Sequence, residues 1–257
     1  ASPVSSPSVL EGAHTAIYGG SALFPSGAST RQGASRLVGC GCVAMAEVPV
    51  TRWDVHGHAV LPEPMASRVR HAGFVVGAEL VDNAAFAVSP AEAAAMDPCQ
   101  RLLLALGYAA LHDAATDRAA LGGSLAGVFL GFAGGEFGQA LASSSPMGGG
   151  SVDAATGSAS SIAAGRLSYT LGLHGPCASY DTACSAASHA AVCALWRSEA
   201  AIGLALGATL VLGRGVGRSC AVAGMTSVRG RSHAFDGRAD GCARGEACGG
   251  AALRRGD

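Results

Sequence analysis

Apolar positions along this chain gather into short unbroken runs, separated by stretches of small and polar residues. Runs at 127–131, 204–212 and 249–253 predict buried strands, 178–183 predicts another, and 15–18 a short first strand ended by a turn through Gly19, Gly20 and Pro25. Between these runs the period changes to that of a helix. Leu102, Leu103, Leu106, Ala109 and Ala110 place an amphipathic helix over 99–115, opened by Asp97-Pro98, and Ser89-Pro90-Ala91-Glu92 opens a shorter one before it. Segments 160–171 and 185–197 predict two further helices. Residues 31–72, rich in Gly, Pro and His, predict irregular structure, and the Ser/Gly-rich 142–150 a loop. Apolar strands alternating with helices predict an α/β fold whose sheet is covered on both faces.

Composition sharpens this reading. Only 14% of the 257 residues are charged, against roughly 25% in an average soluble domain. A chain so poor in charge must bury most of its surface, within itself or against a partner, which predicts a large oligomeric or interdomain interface. A net charge of −1 gives no footprint for nucleic acid. All 17 basic residues are arginine. The longest clean apolar run, 204–212, is too short to span a bilayer, and the Ser/Pro-rich residues 1–13 read as a linker rather than a secretory signal. Nine cysteines without framework spacing argue for a reducing compartment, and cytoplasm is the default expectation.

One cysteine stands at an informative place. In Tyr180-Asp181-Thr182-Ala183-Cys184-Ser185-Ala186-Ala187, Cys184 falls where the 178–183 strand gives way to a helix of tiny side chains. There the unpaired backbone N–H groups and the helix dipole stabilise negative charge, and small neighbours admit a backbone or a thin ligand. Such a thiol suits a buried, reactive nucleophile. The same segment also fits a cysteine that is only a small buried hydrophobe.

Other motifs do not carry their chemistry. Cys40-Gly41-Cys42, and Cys242 with Cys248, lack partners at zinc-site spacing, so no metal is expected. Asp236 to Asp240 imitates a calcium loop, but Arg238 and Ala247 occupy ligand positions. Gly213, Gly215 and Gly217 miss the dinucleotide fingerprint because residue 218 is arginine. These segments read as structural turns.

Asp181-Thr182-Ala183-Cys184-Ser185 resembles the active-site signature of β-ketoacyl synthases, in particular the ketosynthase domains of polyketide synthases. Further segments carry the likeness in family order: Trp53-Asp54 after Val48-Pro49, and the 95–104 helix opening, with Cys99 where glutamine is usual. Then come Ser161 to Tyr169, Gly172 to Pro176, Phe235-Asp236, Asp240-Gly241 and Arg244-Gly245-Glu246. The likeness runs from about residue 14 to 257. It implies a thiolase-like α/β fold, the chain representing the N-terminal half of a layered αβαβα arrangement, and a homodimer.

The implied chemistry is a decarboxylative Claisen condensation in polyketide or fatty-acid biosynthesis. Cys184 would take an acyl group from a phosphopantetheine thioester on an acyl carrier protein, and a malonyl-type extender would lose carbon dioxide and attack it. No directly bound cofactor is implied, and other domains of a multidomain synthase are possible neighbours. Gly131, Gly134 and Gly135 are candidate walls of an acyl slot. The resemblance also implies two histidines in His-Gly-Thr and Asn-x-x-His contexts. None of His14, His56, His58, His71, His112, His174, His189 and His233 stands in one, so 14–257 reads as an incomplete ketosynthase. His189, five residues beyond Cys184 on one helix, is expected to point away from the thiol. Two other readings stay open: a non-catalytic half-domain that binds acyl groups or dimerises, and an unrelated thiol enzyme.

Overall fold

A computed structural model of the chain describes residues 15–55, 61–144, 152–196 and 202–255. In chain order the elements are β1 (Thr15–Leu23), α1 (Arg31–Gly39), β2 (Ala46–Glu47), α2 (Met65–Val69), β3 (His71–Ala72) and α3 (Pro90–Ala95). There follow α4 (Pro98–Asp113), α5 (Arg118–Leu121), β4 (Gly127–Phe132), α6 (Glu136–Ser144), α7 (Val152–Gly157) and α8 (Ser160–Leu171). The chain then forms β5 (Cys177–Tyr180), α9 (Ala186–Trp196), β6 (Gly203–Thr209), α10 (Arg214–Val222) and β7 (Ala247–Arg255).

Five strands form one mixed sheet in the order β1-β7-β6-β4-β5. β5, β4 and β6 run parallel, whereas β7 lies antiparallel to both β6 and β1. The carboxyl ends of β4, β5 and β6 therefore share one edge with the start of β7. Alternate residues along the strands feed two cores, as the pleat requires. Val128, Leu130, Leu204, Leu206 and Ala252 pack with α4 and α8. Phe129, Ala205 and Leu253 point the other way, onto Ala190 and Ala194 of α9. α9 does not cover all of that second face: Ile17 of β1 is 67% exposed. The expected two-sided cover is thus complete on the α4/α8 side only, among the described residues.

Local chemistry explains the helix starts. Ser89 Oγ accepts from Glu92 N ahead of Pro90, and buried Asp97 accepts from Cys99 N at 2.7 Å ahead of Pro98. In α4, Leu102, Leu103 and Ala110 are buried as the spacing predicts, Leu106 is half-buried and Ala109 faces solvent, while Gly107 and Leu111 are buried as well. Gly107 has a packing role: a Cβ there would lie 2.6 Å from Leu167 Cδ2.

Several expectations are corrected. The first strand runs on to Leu23, because Gly19 and Gly20 pair with Ala252 and Ala251 instead of turning. Gly19 is needed there, since a Cβ would lie 2.4 Å from Ala110 O and Ala114 N of α4. The 31–72 stretch holds α1, α2 and a small β2–β3 ladder. α1 buries no residue and starts on a Thr30 cap, so no apolar period announced it. Arg214 to Val222 is a helix capped by Gly213 rather than a turn. Residues 142–144 belong to α6; the rest of that loop, the 1–13 linker, His14, His56 and His58 lie outside the described residues. No described helix is long and apolar enough to cross a membrane.

Candidate active site

Cys184 sits in a short 3₁₀ turn, 183–185, between the end of β5 at Tyr180 and the start of α9 at Ala186. The turn is held locally. Asp181 Oδ1 accepts from Ala183 N at 3.1 Å, and the Ser185 hydroxyl lies 2.9 Å from both Thr182 O and Thr182 Oγ1. Ala183 carries φ +53°, a left-handed conformation that an L-residue adopts at a cost of about 1–2 kcal/mol. Cys184 follows that reversal directly. The residue is exposed, not buried as the sequence suggested, and the helix proper begins two residues after it.

The tiny residues after the thiol serve backbone contact. A Cβ on Gly131 of β4 would lie 2.3 Å from Ala187 N, and one on Gly207 of β6 2.9 Å from Ala187 Cβ. The first turn of α9 therefore rests directly on the sheet, which fixes the depth at which Cys184 is presented. Gly131 thus seats the helix and does not wall an open slot, whereas Gly134 and Gly135 are exposed in the loop after β4. His189 is exposed and meets the Tyr180 ring edge-on, with centroids 5.0 Å apart.

Two carboxylates organise the same edge: Glu246, which the sequence marked only as part of the Arg244-Gly245-Glu246 likeness, and Glu136, which it did not single out. Glu246, whose side chain is fully buried, accepts from Val75 N and Val211 N at 2.9 Å each and lies 3.1 Å from Arg52 Nη2. Glu136 accepts from Leu212 N at 2.9 Å and pairs with Arg244. Consecutive backbone N–H groups leaving β6 are thus each held by a separate carboxylate. Burial pushes the Glu246 carboxyl up, opposed by the Val211 and Val75 N–H groups and by Arg52. The sequence signal was present: a lone glutamate directly before an apolar strand in a charge-poor chain has to be partnered. An open cleft of about 500 Å³ beside these groups is lined by Arg52, Trp53, Glu136, Leu212 and Arg214.

Among the other cysteines, Cys99 and Cys248 are buried, and burial pushes Cys248 up to about 12 and Cys99 well above the ordinary thiol value. Asp97 beside Cys99 is also raised, chiefly by burial. Cys242 is exposed in the segment before β7. No group of three or more His, Cys, Asp or Glu that could hold a metal occurs among the described residues.

A parallel-stranded edge carrying a cysteine on a strained strand-to-helix turn defines a class of thiol-bearing α/β domain. Residues 14–257 match the family described as Beta-ketoacyl synthase, N-terminal domain, and the chain belongs to that family. It is 40% identical over 242 residues to polyketide synthase GfsB of Streptomyces halstedii, covering 91% of this chain and 4% of that protein. To erythronolide synthase EryA2 of Saccharopolyspora erythraea it is 38% identical over 238 residues, covering 90% of this chain and 7% of that one. A solved ketosynthase from module 6 of the bacillaene synthase of Bacillus subtilis 168 superposes with a TM-score of 0.79 at 31% identity. That match covers 95% of this chain and 39% of the other. The fold is accordingly thiolase-like, and the chain spans a small part of the length of these multidomain relatives.

Proposed function

We propose that this chain supplies the acyl-accepting half of a β-ketoacyl synthase, with Cys184 as nucleophile. The observation that carries the reading is an exposed thiol on a strained turn, seated by Gly131 and Gly207 at the carboxyl edge of three parallel strands. In the first step the Cys184 sulfur attacks the carbonyl of an acyl thioester on a carrier protein's phosphopantetheine. The new C–S bond replaces the old one, and the pantetheine sulfur leaves as the thiolate and takes up a proton. The Cys184 backbone N–H would help hold the oxyanion.

In condensation, a malonyl-type extender loses carbon dioxide, its carbanion attacks the acyl carbonyl, and the Cys184 thiolate departs. His189, the histidine nearest in sequence, is engaged with Tyr180, so these residues support acyl transfer more directly than decarboxylation. The domain assignment proposed is 14–257.

The homodimer is assigned to the β5 edge. Among the described residues β5 ends the sheet without a neighbour on its outer side, and Tyr169 of the adjoining α8 is 90% exposed. A second copy would cover both.

The test is incubation with an acyl-loaded carrier protein followed by peptide mass mapping. Acylation of Cys184 at least about 10-fold above Cys40, Cys42, Cys177 and Cys242, abolished by Cys184→Ala, is expected. Equal labelling, or labelling that survives the substitution, would remove Cys184 as nucleophile and leave the scaffold reading.

A further inference from the structure

Cys40-Gly41-Cys42, which takes no part in the turn around Cys184, ends α1 in a defined way. Cys40 is the last residue of the helix turn, and Gly41 follows at φ +61°. Gly41 N donates to Val38 O at 3.0 Å and Cys42 N to Leu37 O at 3.2 Å, the paired closing bonds of a Schellman motif. Both thiols are free and exposed, and a Cβ on Gly41 would meet nothing within 4 Å. α1 itself buries no residue.

This backbone changes what two cysteines at such short spacing can do. On a continuous right-handed helix, residues 40 and 42 would face apart. On a strand their Cα atoms would stand about 6.6–6.8 Å apart, at the limit of what a disulfide spans. The left-handed Gly41 avoids both outcomes. It keeps the compact Cα spacing of a helix, about 5.4 Å from the rise and radius, which lies near the middle of the disulfide range. It also reverses the hand of the chain between the two cysteines, so the opposition of their side chains is lost. Being exposed, both side chains are free to change rotamer. Every other pair of neighbouring cysteines in the sequence is at least six residues apart.

We infer that Cys40 and Cys42 form a reversible oxidation site, separate from Cys184, that takes low-molecular-weight disulfides such as oxidised glutathione. In the first exchange one of the two thiolates attacks a sulfur of the external disulfide. That S–S bond breaks, a mixed disulfide forms, and the released thiolate takes up a proton. The second cysteine gives up its proton and attacks the protein-side sulfur of the mixed disulfide, releasing the second external thiol. Two protein thiols are oxidised and one external disulfide is reduced to two thiols. An exposed bridge of this kind is open to reduction again by the same chemistry. Because α1 buries no residue, closure leaves the sheet and the seat of Cys184 unchanged.

Peptide mapping tests this. The chain is held with oxidised glutathione and about 0.1 mM reduced glutathione, alkylated with iodoacetamide and digested with trypsin. The peptide Leu37 to Arg52 contains these two cysteines and no other. It should appear chiefly unalkylated and lighter by two hydrogens, at least about 10-fold over forms that carry glutathione, since the second thiol acts at an effective concentration of millimolar order. Dithiothreitol should restore the doubly alkylated peptide, and Cys42→Ser should instead hold glutathione on Cys40. Glutathione retained on either cysteine of the unaltered chain as the main product overturns the proposal. A disulfide joining two chains through this peptide, or a peptide that stays doubly alkylated throughout, overturns it as well.

Discussion

Glu246 and Arg52 stand 194 residues apart in sequence and meet as a partly buried ion pair, with Arg52 Nη2 3.1 Å from both oxygens of the buried carboxylate. The same carboxylate holds Val75 N and Val211 N, so one side chain joins three distant segments. Removing it leaves a half-buried guanidinium and two N–H groups without that acceptor. Glu246→Ala should lower unfolding free energy by about 3–5 kcal/mol in urea titrations. Glu246→Gln, which keeps an acceptor oxygen, should cost clearly less. Equal losses for the two variants would mean that the network does not hold the fold.

Glycines should divide sharply by what surrounds them. Gly131→Ala places a methyl 2.3–2.5 Å from the backbone of Ala186 and Ala187 and should destabilise by about 1–3 kcal/mol or more. It should also slow acylation of Cys184 by displacing the start of α9. Gly165 of α8 has nothing within 4 Å of a Cβ, so Gly165→Ala should stabilise by about 0.5–1 kcal/mol. Calorimetry of the two variants side by side checks the contrast, and a stabilising Gly131→Ala would contradict the close seating of α9.

Burial raises the Asp97 carboxyl above its ordinary 3.8, the leading cause, against the opposing bonds from Cys99. The folded state then holds that proton more tightly than the unfolded chain. Its contribution to stability is fully present below 3.8 and is lost as pH rises through the folded value. Asp97→Asn keeps the helix cap but cannot ionise. Relative to the unaltered chain, the variant should therefore gain stability between about pH 4 and about pH 7. Urea midpoints at the two pH values decide this; an unchanged difference would show that Asp97 does not titrate abnormally.

Thiol reactivity should follow exposure. Cys184, Cys40, Cys42, Cys177 and Cys242 are exposed, whereas Cys99 and Cys248 are buried and raised. Under native conditions iodoacetamide should modify the two buried thiols at least about 100-fold more slowly than Cys184, and denaturant should erase the gap. Comparable rates in the folded protein would contradict the packing of α4 on β7.

Much of this architecture was legible in the chain. The apolar runs at 127–131 and 204–212 marked β4 and β6, because a strand buried on both faces must be apolar throughout. The helix α8 lies over 160–171 as its period required, and Ser89 and Asp97 announced their helices by capping chemistry. The same residues placed a cysteine between strand and helix. Where local signals were absent the reading failed. Gly19 and Gly20 look like a turn in sequence, yet β7 and α4 make them strand.

What the sequence determined by itself were features set by neighbours within a few residues: periodicity, caps, and the strand–thiol–helix order around Cys184. The tertiary structure alone decided which groups meet across the sheet edge. That includes the seating of Ala187 on Gly131 and Gly207, the left-handed Ala183 that leaves Cys184 exposed, and the closure of Glu246 on Arg52, Val75 and Val211. Contacts of that kind depend on strand order and on the close approach of backbones far apart in the chain, which no local pattern encodes.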